Sequence, residues 1–139
     1  MAIFLNNGVG FKLNTVDLSD HVTAFTLNRQ ADQLEVTAMG DTAHKFVSGL
    51  SADTITVSFL NDTAAASVLA TIQAAYGTTV AFSAIQNKVP AVSATNVLYT
   101  GTVLVDNLTD IAGAVADEAM IDITFTCNSK TALATTGTF

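Results

Sequence analysis

Two histidines, one cysteine and 12 carboxylates are the groups in this 139-residue chain with the chemistry for catalysis or metal binding. Catalysis needs such groups as a positioned set, and a structural metal needs three or four ligands at matched spacing. His21 follows Asp20 at the start of a strand pattern, and His44 lies near Asp41 and Lys45. Neither has a zinc-ligand partner, because Cys127 stands alone and no His-x-x-x-His occurs, so both read as surface or capping histidines. Cys127 follows Ile123 and Phe125 on one apolar strand face and reads as a small buried hydrophobe. The DNLTD run at 106–110 offers loop oxygens of the kind calcium takes. It lacks the central glycine and distal glutamate of a helix-loop-helix site and reads as a solvated turn. The GVG at 8–10 precedes no helix, and no G-x-S-x-G elbow is present. Asn61-Asp62-Thr63 and Asn107-Leu108-Thr109 match the glycosylation triplet without a secretory signal beside them. The expectation is therefore no enzyme, no metal and no cofactor.

The charge balance points the same way. The net charge is −7, and Lys12, Arg29, Lys45, Lys88 and Lys130 are scattered. Gripping nucleic acid needs clustered cations. An acidic surface instead repels DNA and lets it slide past. Only 12% of residues are charged, against roughly a quarter in an average soluble domain. Half are hydrophobic, with Thr, Ser and Asn supplying most of the remaining polarity. Such a surface reads as interface. Residues 1–5 are too short and too poor in basic groups for a signal peptide. The apolar run 64–85 is broken by Gln73, Gly77, Thr78 and Thr79 and lacks basic flanks, so no membrane anchoring is expected.

The length suits one domain over 1–139. Residues 1–10 read as an apolar N-terminal arm ending in NNGVG. Residues 16–20 read as a turn, and 21–30 and 34–39 as two strands joined into a hairpin by Ala31-Asp32-Gln33. In the second of these, Leu34, Val36 and Ala38 share one face and Glu35 and Thr37 the other. Ile55, Val57 and Phe59 share a face of the strand at 54–60. Between these strands lies a long loop, 39–53, carrying Met39, Phe46, Val47 and Leu50, which a free solvent loop would seldom hold. It reads as a loop that buries itself against another copy of the chain. One helix is expected over 62–76, capped by Asn61 or Asp62, with Ala65, Leu69, Ile72 and Tyr76 as its apolar stripe and Gly77 as its stop. Strands follow at 79–87, 97–106 and 119–127, with Gly101 marking a bend, and 130–139 reads as a loose tail. The pattern predicts a mainly antiparallel β-sandwich or barrel with one flanking helix. Its outer sheet faces are rich in Thr and Ser, with Glu35, Asp106 and Asp122 as the charges, which suits a pore wall.

The stretch VTAFTLNRQADQLEVTAMGDTAHKFVSGLSADTITVSFL, followed by a helix and three more strands, resembles the major tail tube proteins of long-tailed bacteriophages with non-contractile tails. The resemblance covers residues 17–127 and carries no catalytic signature. It implies a β-sandwich or barrel whose subunits form hexameric rings. Such rings stack into a tube in the virion tail, assembled in the host cytoplasm, that meets tape-measure, terminator and tail-tip proteins. DNA passes through the lumen unbound. It also implies that the long loop reaches the neighbouring ring. The expected inter-ring contacts are Met39, Gly40, Asp41, Lys45, Phe46, Val47 and Leu50, and the expected lumen acids are Glu35 and Asp122. Contractile tails and type VI secretion tubes share this architecture. The rival readings are a monomeric binding or decoration sandwich, an enzyme on a small barrel, and a terminator or tip ring that does not stack.

Overall fold

A computed structural model of the chain describes residues 8–65 and 67–139. The expected N-terminal arm lies outside them up to residue 7. Ten strands occur in the order β1 (Gly10–Leu13), β2 (Val16–Asp17), β3 (Val22–Asn28), β4 (Ala31–Glu35), β5 (Phe46–Ser51), β6 (Thr54–Leu60), β7 (Thr79–Ile85), β8 (Leu98–Leu104), β9 (Met120–Cys127) and β10 (Ala132–Ala134). One helix, α1 (Val68–Ala75), sits between β6 and β7. Among the described residues the fold is mainly β, antiparallel, with one α-helix, as the alternating apolar pattern predicts.

The main sheet runs β2-β1-β7-β8-β9-β6-β3, with every pair antiparallel. β9 and β10 lie end to end along β8: Leu104 pairs with Thr126 and Val103 with Cys127, then Thr100 with Ala132 and Leu98 with Ala134. The short β8–β9 contact is the hinge about which the sheet folds over. Phe11 of β1 meets Phe25 of β3 at 5.2 Å and Phe59 of β6 at 6.2 Å between ring centroids, so the two halves face each other. Side chains alternate across strands, and one set is drawn from water. Phe11, Leu13, Phe82 and Val103 from one half meet Ile55, Val57, Phe59, Ile121, Ile123 and Phe125 from the other in one core. Gly101 lies opposite Phe82, and a Cβ there would come within 2.9 Å of that ring, so glycine serves close packing rather than a bend.

Several boundaries differ from the pattern-based expectation. β3 does not pair with β4. It pairs with β6, and β4 pairs with β5. The strand expected at 34–39 is β4, and the loop expected at 39–53 contains β5. The expected turn at 16–20 contains β2 and leads into a 3-10 turn, Ser19–His21. The helix is shorter than expected, because the Asp62 carboxylate accepts from the Ala64 backbone N–H (2.9 Å) and from Ser67 Oγ (2.8 Å), which holds the preceding segment in turns. Its buried residues are Val68, Thr71, Ile72 and Ala75, while Ala65 and Tyr76 are exposed. The expected stripe is thus correct at Ile72 and rotated elsewhere. The tail is not loose: β10 adds to β8, and the Phe139 ring lies 4.5 Å from Lys12 Nζ.

Phe11 rivets the two halves of the sheet, so Phe11→Ala is expected to destabilise the fold by about 3–5 kcal/mol. A fall in the urea midpoint without a change in slope checks this.

Candidate functional site

The insertion between β3 and β6 is an arm, not a loop. β3 and β6 pair along their lengths, and the chain between them leaves the body as a separate two-stranded sheet, β4–β5. Leu34 opposes Val47, and Glu35 opposes Phe46. One face of this ribbon therefore carries Leu34 and Val47, and the other carries Glu35 and Phe46. Among the described residues the ribbon has no second layer, and none of the β4 and β5 side chains is buried. Leu34 and Val36, expected on a buried strand face, are about half exposed, as are Phe46 and Val47. Leu50 is 82% exposed, and Met39 stands fully in solvent at the apex. An isolated two-stranded hairpin is at best marginally stable in water.

The tip is built by local hydrogen bonds. Asp41 N donates to Ala38 O (3.2 Å), and Gly40 takes φ +90° between them. A turn of this type needs a positive φ at its third residue, which only glycine adopts without strain. The Asp41 carboxylate accepts from Ala38 N (2.8 Å) and meets Lys45 Nζ at 2.8 Å. The Lys45 contact and the Ala38 N–H hold the Asp41 carboxyl below the usual carboxylate range. Lys45 N donates to Thr37 Oγ1 (2.9 Å), and His44 Nδ1 meets Glu35 Oε1 at 3.0 Å. The charged groups at the tip thus pair with one another, and the large exposed side chains around them are apolar. Gly49 lies within β5, where a Cβ would sit 3.2 Å from that of Asp32.

The root is built by Asp53, which sequence reading passed over because a lone Asp at a strand start resembles any turn acid. Its side chain is almost fully buried, at 4% exposure. Its carboxylate accepts from Gln30 N (3.1 Å), where β3 ends, and from Thr131 N (2.9 Å), between β9 and β10. Its carbonyl accepts from Cys127 N (3.0 Å), and Ala52 N donates to Gln30 O (2.6 Å). Burial pushes the Asp53 carboxyl up, but the Thr131 and Gln30 hydrogen bonds and the nearby Arg29 charge outweigh it and hold it below the usual range. Burial first, and then the Asp53 charge, push the Cys127 thiol up, away from the reactive thiolate.

Among the expected site residues, the structure brings Met39, Gly40, Asp41, Lys45, Phe46, Val47, Leu50 and Glu35 together on the arm and puts Asp122 elsewhere. Asp122 lies on the outer face of β9, beside Ser58. That face is made of Ala24, Thr26 and Asn28, then Thr54, Thr56 and Ser58, then Asp122, Thr124 and Thr126, in register across β3, β6 and β9. It is polar, open to solvent, and without Lys or Arg. His21 meets Asp62 at 3.0 Å, and among the described residues no three His, Cys, Asp or Glu side chains gather into a metal-binding group. No helix among them is long and apolar enough to cross a membrane.

No family model and no curated protein sequence matches the chain. Solved structures do. A chain in the virion of a native gene transfer agent particle superposes with a TM-score of 0.69 at 14% identity, over 95% of this chain and 99% of that one. A chain in the tail of an empty gene transfer agent particle, refined helically with C6 symmetry, gives a TM-score of 0.65 at 13% identity, over 96% and 99%. The fold of this protein is the fold of those particle chains.

Asp53 is a carboxylate with a lowered pKa, so the stability it contributes is fully present above its unfolded pKa of about 3.9 and is lost as the pH falls through the folded value. Asp53→Ala is expected to cost about 1–3 kcal/mol at pH 7 by leaving buried N–H groups unpaired. The wild-type advantage should shrink below pH 4, which denaturation of both proteins across pH 3–7 would show.

Proposed function

We propose that this chain is the structural subunit of a viral or virus-like tail tube, in which hexameric rings stack and DNA passes through the bore. The observation that carries the reading is the arm: a two-stranded ribbon with apolar side chains on both faces and, among the described residues, nothing to bury them. The likeness in fold to chains of a particle and of a sixfold tail supports the same reading. In the proposed tube, Met39, Phe46, Val47 and Leu50 pack against the next ring, with Gly40 shaping the tip and the Asp41–Lys45 pair at its polar rim. Burying a fully exposed side chain such as Met39 stabilises a contact by about 1.5–3 kcal/mol. The outermost strands of the main sheet, β2 and β3, offer edges that ring closure would cover.

The Thr-rich face of β3, β6 and β9 is proposed as the lumen wall. Hydroxyls with a single carboxylate and no cation let a polyanion pass without holding it. Asp122 is carried forward as the lumen acid. Glu35 stands on the arm with its carboxylate occupied by His44. In this reading the protein is not an enzyme. It resides in the tail of the particle after assembly in the host cytoplasm, and its other partners are the tape-measure, terminator and tip proteins.

Phe46→Asp is expected to leave the body folded, since Phe46 contributes nothing to the core, and to stop polymerisation. Negative-stain micrographs of the purified variant should show single rings or small particles where the wild type gives hollow tubes. Normal tubes from the variant would contradict the assignment of the arm.

A further inference from the structure

A second surface left open by the described residues lies away from the arm's apex. A groove of about 430 Å³ runs between β3 and the β7–β8–β10 side of the sheet, lined by Phe25, Leu27, Tyr99, Leu133 and Arg29. Arg29 also lines an adjoining cleft of about 270 Å³, together with Lys130. The chain has five cations. Lys45 and Lys88 are in ion pairs and Lys12 lies over Phe139, whereas among the described residues Arg29 and Lys130 make no ion pair. The result is a groove with aromatic and aliphatic side chains along it and two cations at one end, where the buried Asp53 carboxylate also lies.

The segment between β8 and β9 has the opposite character. Asp106, Asp110, Asp117 and Glu118 fall within it, and Ile111 and Val115 are 92% and 100% exposed. Gln73 holds Asp110 at 2.9 Å, and Leu108 packs against the core. The segment is therefore anchored near its start and projects two bare aliphatic side chains toward solvent, with two further acids behind them. In a chain of net charge −7, an apolar, acid-flanked projection and a groove that offers aromatic and aliphatic side chains beside two cations are complementary.

We propose that residues 111–118 of one copy of this chain dock into the Phe25–Tyr99–Leu133 groove of a second copy, with Asp117 and Glu118 meeting Arg29 and Lys130. The inference rests on the reading of the chain as a self-assembling subunit. It adds a heterologous contact, in which two different patches of the same molecule meet. A heterologous contact closes into a ring when its rotation divides a full turn. It also differs from the arm contact in its physics. The proposed arm contact is made by the uncharged side chains of Met39, Phe46, Val47 and Leu50, so it should depend little on salt. The groove contact depends on opposite charges and should weaken as salt rises.

The test is a charge swap on full-length protein. Arg29→Glu with Lys130→Glu is expected to raise the concentration needed for assembly by more than about tenfold, the scale of like-charge juxtaposition at an interface. Asp117→Lys with Glu118→Lys should do the same, and an equal mixture of the two variants should assemble near the wild-type concentration. Ile111→Cys and Leu133→Cys, made on separate chains with Cys127→Ser, should form an inter-chain disulfide when mixed under oxidising conditions. That readout stands even if a charge variant misfolds. Assembly of the Arg29/Lys130 variant at the wild-type concentration, or absence of the disulfide from assembled mixtures, overturns the inference. If Phe46→Asp still blocks assembly in that case, the tube reading survives it. A wild-type chain that stays monomeric at every concentration removes both.

Discussion

A two-stranded ribbon cannot bury its own side chains. This constraint organises the rest of the molecule. The body has two sheet halves and a helix with which to enclose Phe11, Phe59, Phe125 and their neighbours, so its apolar groups disappear from water. The arm has a single layer, and its apolar groups remain on both faces. Burial in a second layer is what normally stabilises such an element. Among the described residues nothing supplies that layer.

The way the arm is held follows from the same need. A contact made by a floppy projection loses much of its gain to ordering. The arm is ordered in advance at both ends. At the tip, Gly40 sets the turn and Asp41 ties it to Ala38 and Lys45. At the root, the Asp53 carboxylate joins the end of β3 to the β9–β10 junction, so the arm leaves a braced point of the sheet. A buried carboxylate with two backbone donors is more rigid than a solvent turn, and its lowered pKa records the same bonds. The Thr-rich face, the groove and the projecting acid-flanked segment lie on the body that this bracing leaves undisturbed.

Much of the body was legible in the sequence. Ile55, Val57, Phe59, Ile121, Ile123 and Phe125 alternate strictly, and the structure buries every one of them. The inverse inference failed in β4. Leu34 and Val36 alternate equally well, yet they face water in this chain, because period-two patterning reports a face that wants burial and not which molecule supplies it. The pairing of β3 with β6 was hidden for a related reason. Neighbouring strands often pair, and only tertiary packing reveals that 31–51 is an insertion. The helix boundary was missed because Asp62 makes turn bonds that compete with the alanine propensity of its neighbours. The apolar content of 39–53 marked that segment as more than a free loop, although β5 within it was read as loop and its side chains stand exposed in this chain. Arg29, Lys130 and Asp53 carried no pattern that distinguishes them from ordinary surface charges.

The central proposal is that the arm, which lacks a partner layer among the described residues, gains one from another copy. Hydrogen exchange of the amides in residues 31–51, followed from dilute to concentrated protein, tests it most directly. The account predicts rapid exchange and little protection in dilute monomer, rising by orders of magnitude on assembly while the β6 and β9 amides stay protected throughout. Strong protection of the arm in the monomer, or arm exchange that remains fast in every assembled state, would contradict it.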